Sequence, residues 1–155
     1  MKAINDNGTI KTFLSVPKSW RGKIGLQYAN DSDLEALGFY NVERPALTAS
    51  QKYGAIQWDA DNNKFIYPIE DKTYTETIQE LKDQKIANLK AIYNVKFSRT
   101  DWYIIRASEG GTTVPINITT ERSDLRAECA TKEAEINALN TKASIVNYEL
   151  PNSNL

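Results

Sequence analysis

The spacing of the apolar residues changes once along this chain, near Thr75. Before that point lie short alternating or aromatic-rich runs, punctuated by Pro17, Pro45 and Pro68. After it, residues 75–147 contain one proline, Pro115, and the apolar residues recur at helical spacing. A chain divided in this way reads as α+β, with a small β-rich N-terminal domain over residues 1–74 and a helical segment over residues 75–155. The helical segment forms either a helical hairpin or an extended helical arm.

In the first half, Asn5-Asp6-Asn7-Gly8 lies between the strand-like runs Ala3-Ile4 and Thr9 to Leu14 and predicts a hairpin. Ser15 to Trp20 leaves it as a loop. Ser32 to Gly38 predicts a two-turn helix with Ser32 and Glu35 in capping-box spacing and Gly38 as its stop. Phe39 to Val42 follows as a short strand. The runs Tyr53 to Trp58 and Lys64 to Tyr67 predict a second hairpin around the polar turn 59–63.

Three helices are predicted in the second half. The first covers about 75–95, with Ile78, Leu81, Leu89 and Ile92 on one face, widened by Ile86 and Tyr93 and interrupted by Lys85. The second covers 100–109, capped by Ser98 or Thr100 and ended by Gly110-Gly111. The third covers 116–147 and carries the clearest periodicity. Leu125, Cys129, Lys132, Ile136, Leu139, Ala143 and Val146 alternate at intervals of four and three, a coiled-coil-like seam closed by Pro151. The tail from Asn152 to Leu155 is expected to fray.

The chain has 155 residues, enough for one domain or a small domain with a helical extension. It has 19 basic and 20 acidic side chains, with neither half strongly basic, so no electrostatic footprint for nucleic acid is read from it. No apolar run approaches the ~20 residues that span a bilayer. The start lacks a signal-peptide core, which points to a cytoplasm. The chain contains no histidine, which removes the commonest general base and metal ligand and excludes Ser-His-Asp, Cys-His and His-based zinc sites. The single cysteine, Cys129, excludes an internal disulfide. The chain reads as a non-enzyme with no cofactor and no metal.

Several patterns have both a functional and a bland reading. Asp59, Asp61, Asn63 and Glu70 match positions 1, 3, 5 and 12 of an EF-hand loop, but Lys64 stands where that loop needs glycine and Pro68 lies inside it, so a solvated turn is favoured. Trp102, Ile105 and Arg106 in the short helix either bind a partner or pack into a core. Asp101 is a possible mate for Arg106, with Glu109 better spaced. Leu125, Lys132, Ile136, Leu139 and Val146 form the seam, the other candidate partner surface. Lys132, its one charge, either snorkels or sets register. Cys129 on that seam reads as a packing residue. Asn117-Ile118-Thr119 matches a glycosylation acceptor, but without a secretion signal it is set aside. The aromatic residues Trp20, Phe39, Tyr40, Tyr53, Trp58, Phe65 and Tyr67 read as core more readily than as stacking platforms.

The block from Phe97 to Gly111, with Thr100-Asp101-Trp102 inside it, is followed by Val114-Pro115 and the run Arg122 to Arg126. It is preceded by the N-terminal hairpin, a Pro-containing loop ending at Trp20, and Leu37-Gly38-Phe39-Tyr40. In order and spacing, most of residues 8–126 resembles the tail-fibre assembly chaperones and small tail accessory proteins of tailed bacteriophages. The resemblance implies neither catalysis nor a cofactor. It implies binding to a tail-fibre or tail-tip protein to help it fold, trimerise or attach, with no nucleic acid or membrane partner. The chain would then act in the host cytoplasm during assembly or in the virion tail, as a homo-oligomer or a fibre-bound complex. The helix continuing some twenty residues past Arg126 departs from the family layout and favours a longer-lived contact. The alternative is a resident tail or baseplate component linking a fibre to the virion. A carboxylate-based glycan hydrolase would need a cleft bringing Asp59 or Asp61 to a second carboxylate.

Overall fold

The computed structural model describes residues 1–152, so the end of the tail expected to fray lies outside the described residues. The protein is α+β and divides into two compact units, Met1–Lys72 and a second beginning at Thr73, two residues before the expected boundary.

The first unit is built on a five-stranded sheet in the order β2 (Thr9–Phe13), β1 (Lys2–Asp6), β5 (Tyr40–Glu43), β8 (Lys64–Ile66), β7 (Gln57–Asp59). Strands β1 (Lys2–Asp6) and β2 (Thr9–Phe13) form the predicted hairpin. Asn7 and Gly8 both take positive φ, 54° and 88°, as a two-residue type I′ turn demands. The segment read as a loop holds a second small hairpin, β3 (Ser19–Trp20) and β4 (Lys23–Ile24). Its turn is again of positive φ, at Arg21 and Gly22. An arginine there is an uncommon left-handed residue, which is why composition did not announce the turn.

Helix α1 (Asp31–Ala36) lies where predicted, but its cap is Asn30 rather than Ser32. The Asn30 side chain accepts a hydrogen bond from the Asp33 amide at 2.8 Å. The helix ends with Gly38 N–H donating to Glu35 and Phe39 N–H to Leu34. This delivers Phe39 into a core with Ile4, Leu26 and Leu34, flanked by Phe13 and Trp20. Strand β5 (Tyr40–Glu43) pairs antiparallel with β1 and parallel with β8 (Lys64–Ile66), which returns to β7 (Gln57–Asp59). The turn at 59–63 is the predicted one. Residues 53–58 do not form one strand, however: β6 (Gln51–Tyr53) pairs separately with β9 (Ile69–Asp71).

The second unit is a helical hairpin. Helix α2 (Ile78–Ser98) opens with a full capping box between Thr77 and Glu80. Helix α3 (Asp101–Ser108) follows, then α4 (Ile116–Ala138). Helices α2 and α4 are antiparallel: Lys82 donates to the Asn137 carbonyl, Lys90 pairs with Glu133, and Arg122 reaches the Phe97 carbonyl. Between them lie Leu89, Tyr93 and Ile136, with Leu125 and Cys129 packed alongside.

The predicted continuous helix over 116–147 is broken. Leu139 is extended, at φ −69° and ψ 140°, and Thr141 starts a new helix, α5 (Lys142–Asn147), by accepting from the Ser144 amide. A Thr cap therefore overrides the heptad spacing. The result is that α5 folds back onto α2. Ile145, not the predicted Ala143, is its fully buried residue. The Lys85 ammonium donates to the Val146 and Tyr148 carbonyls at the end of α5. Lys85, read as an interruption of the α2 face, is thus the clasp that holds α5.

The Tyr148 phenol donates to Glu135. Burial, and then this bond, push its pKa from the ordinary 10.0 up to about 12. The folded chain therefore holds this proton more tightly than the unfolded chain. Its contribution is complete below pH 10 and is lost as the pH rises to about 12. Tyr93, raised by burial first, acts in the same direction. Lys85, lowered by burial, acts oppositely below its ordinary 10.5. The urea midpoint is expected to fall between pH 10.5 and 12, and Tyr148→Phe is expected to remove part of that fall. A flat midpoint over this range would contradict the placement of Tyr148.

Candidate functional site

The exposed apolar surface of the second unit concentrates where α2 gives way to α3. Thr100 separates the two helices. It does not cap α3 by its side chain. Its hydroxyl instead donates to the Phe97 carbonyl at 3.1 Å and accepts from Arg122 Nη1 at 2.7 Å. The same Nη1 reaches the Phe97 carbonyl at 3.1 Å and Asp101 Oδ1 at 2.9 Å. The guanidinium lies over the Phe97 ring, 5.1 Å from its centroid, with Arg126 stacked beside it at 5.7 Å. One arginine of α4 therefore clips the end of α2 to the start of α3. Asp101 belongs to Arg122, not to Arg106, and among the described residues neither Asp101 nor Glu109 forms an ion pair with Arg106.

The far end of α3 is fixed by backbone alone. Gly110 N–H donates to Ala107 and Gly111 N–H to Arg106, a Schellman closure. Gly110 has φ +82°, and a Cβ on Gly111 would stand 2.5 Å from the Arg106 carbonyl oxygen. Both glycines are required by this geometry.

Between these two ends α3 buries no residue fully. Tyr103 and Ala107, one turn apart, are its half-buried side. Trp102, Ile105, Arg106 and Glu109 share an adjoining, exposed stripe, with the Trp102 ring stacked on Tyr103 at 3.7 Å between centroids. Trp102 is 50% and Ile105 55% exposed. Beyond the contact of Trp102 with Tyr103, that leaves apolar surface of both residues open to solvent. Arg106, one turn after Trp102 on α3, and Arg99, at the end of α2, are exposed positive charges.

The seam residues lie elsewhere. Ile136 is 0% exposed and belongs to the hairpin core, which corrects its reading as a partner contact. Leu125 packs against the same core. Lys132 is half-buried on that side of α4. Leu139 is half-buried at the helix break, and Val146 is half-buried in α5, with its carbonyl held by Lys85. Cys129 lines the core, where burial raises its thiol above the ordinary value and leaves little thiolate at neutral pH.

In the first unit, Asp59 closes its own turn by accepting from the Asn62 amide and side chain, which lowers its pKa, and Glu70 pairs with Lys52. Among the described residues no cluster of acidic or thiol side chains is placed to hold a metal ion. Trp58, Tyr40 and Phe65 pack edge to face, with ring centroids 4.5 Å apart for the first two. With Asn5 and Gly38 they line a cleft of about 290 Å³.

Sequence reasoning singled out Trp102, Ile105 and Arg106, and the structure brings these three onto one face. It missed Arg122 as the clip, because its acceptors lie 21 to 25 residues away. It also missed Ile116, 80% exposed at the start of α4. Among the described residues no helix is long and apolar enough to cross a membrane. No family model matches the chain, and neither a curated protein nor a solved structure is significantly similar to it.

Proposed function

We propose that the chain is a binding protein of phage tail assembly, with α3 as its docking element for a tail-fibre or tail-tip protein. The observation that carries this is α3 itself. It is clipped to α2 and α4 at its start by Arg122 and ended by its own Gly110-Gly111 closure, yet leaves Trp102 and Ile105 half exposed. A preformed apolar stripe lowers the ordering cost of association, and tryptophan and arginine are the residue types that dominate interface energetics. The resemblance of residues 8–126 to tail-fibre chaperones and tail accessory proteins supplies the class of partner. The chain helps that partner fold, trimerise or attach, in the host cytoplasm while particles are assembled.

A photo-crosslinking amino acid at position 102, introduced during phage production, tests the reading. The expected adduct joins the chain to a fibre or tail-tip protein and disappears in Ile105→Asp, whose melting temperature stays within a few degrees of the parent. Adducts retained in purified particles would assign the chain to the virion as a linking component. A folded chain that yields no adduct with any tail protein would overturn the proposal.

A further inference from the structure

The outer side of α4 carries the counterpart of the α3 stripe. Ile116 and Thr120 form a shallow apolar trough there that runs to Leu125 at the edge of the hairpin core, bordered by Glu121, Asp124 and Glu128. The three carboxylates are exposed, and among the described residues none of them has an ion-pair partner. The same is true of Arg106 on α3 and of Arg99 at the end of α2. One face is thus apolar with a cationic border, and the other is apolar with an anionic border. Glu109, on the α3 stripe, is the single charge of opposing sign there.

Among the described residues no ion pair joins these two faces within one molecule. Each molecule carries both halves, so one two-fold arrangement of two copies uses the pair twice.

We infer that, without a tail protein, two copies of the chain close on each other, with α3 of each laid along the α4 trough of the other. Trp102 and Ile105 then cover Ile116 and Leu125, and Arg99 and Arg106 meet Glu121, Asp124 and Glu128. The inference rests on the docking reading of α3, since the dimer is the state that the tail protein displaces. Self-association keeps the stripe covered until the partner arrives.

Sedimentation of the full chain over a wide concentration range, with no other protein present, tests this. The expected result is a reversible monomer–dimer equilibrium that weakens in high salt. Arg106→Glu and Asp124→Arg each place like charges across the contact and should weaken association on the order of tenfold or more. An equimolar mixture of the two variants should associate again. In the mixed dimer one contact is charge-swapped and the other is unchanged, so both are complementary. Both positions are exposed, and unchanged melting curves would show that the fold is intact.

A chain that stays monomeric at every concentration, or a dimer indifferent to both substitutions, would overturn the inference. If such a chain still crosslinked to a tail protein from position 102, the docking reading would stand alone. If it dimerised as expected but never crosslinked to one, the docking reading would fall instead.

Discussion

Ile136→Ala is expected to lower the stability of the isolated chain by about 2–5 kcal/mol. The side chain is fully buried between α2 and α4 against Leu89 and Tyr93, so truncation leaves a cavity that the packed helices cannot readily collapse. Ile105→Ala on the docking stripe should stay within about 0.5 kcal/mol of the parent, because more than half of that residue already faces solvent. Urea unfolding of both variants checks the pair. The contrast separates the two surfaces that the sequence offered as partner-binding. If Ile105→Ala proved as costly as Ile136→Ala, α3 would be core and the docking reading would lose its footing. If Ile136→Ala left stability unchanged, the hairpin core would be misplaced.

The same contrast shows what can be read from a sequence of this kind. A heptad seam records which residues share a helix face, not what covers that face. Leu125, Cys129 and Ile136 do share a face, and their own α2 covers it. The seam also ran through Leu139 without a signal in its spacing, yet Thr141 and Ser144 held a second cap that ended one helix and began another. Local turn chemistry was legible at Asn7-Gly8, where the stabilising atoms are neighbours in sequence. The parallel pairing of β5 with β8 was not, because Val42 and Phe65 meet only after an intervening excursion through β6 and β7. Of the candidate site, the residue types on α3 were legible. Their exposure was not, since it depends on which side of α3 Tyr103 and Ala107 occupy.

Arg122→Ala is expected to cost about 2–4 kcal/mol and to change the partner surface as well as the stability. Its side chain is only 12% exposed, and a single guanidinium nitrogen serves the Phe97 carbonyl, the Thr100 hydroxyl and the Asp101 carboxylate. Removing it leaves the buried Thr100 and the last turn of α2 without their charged donor, and it uncovers the Phe97 ring. Asp101 is about half exposed and regains water, so the loss falls mainly on the backbone and hydroxyl acceptors. Arg122→Lys keeps the charge but not the planar fork that stacks on Phe97 while reaching three acceptors. It should therefore recover only part of the loss. The measurement that distinguishes a clip from ordinary packing is amide hydrogen exchange. Protection in α3, residues 101–108, should drop in Arg122→Ala by more than protection in α2 around Leu89. Uniform loss across both helices would make Arg122 a general stabiliser of the hairpin. Selective loss in α3, with weaker crosslinking from position 102, would make it the residue that holds the docking helix in its binding-ready form.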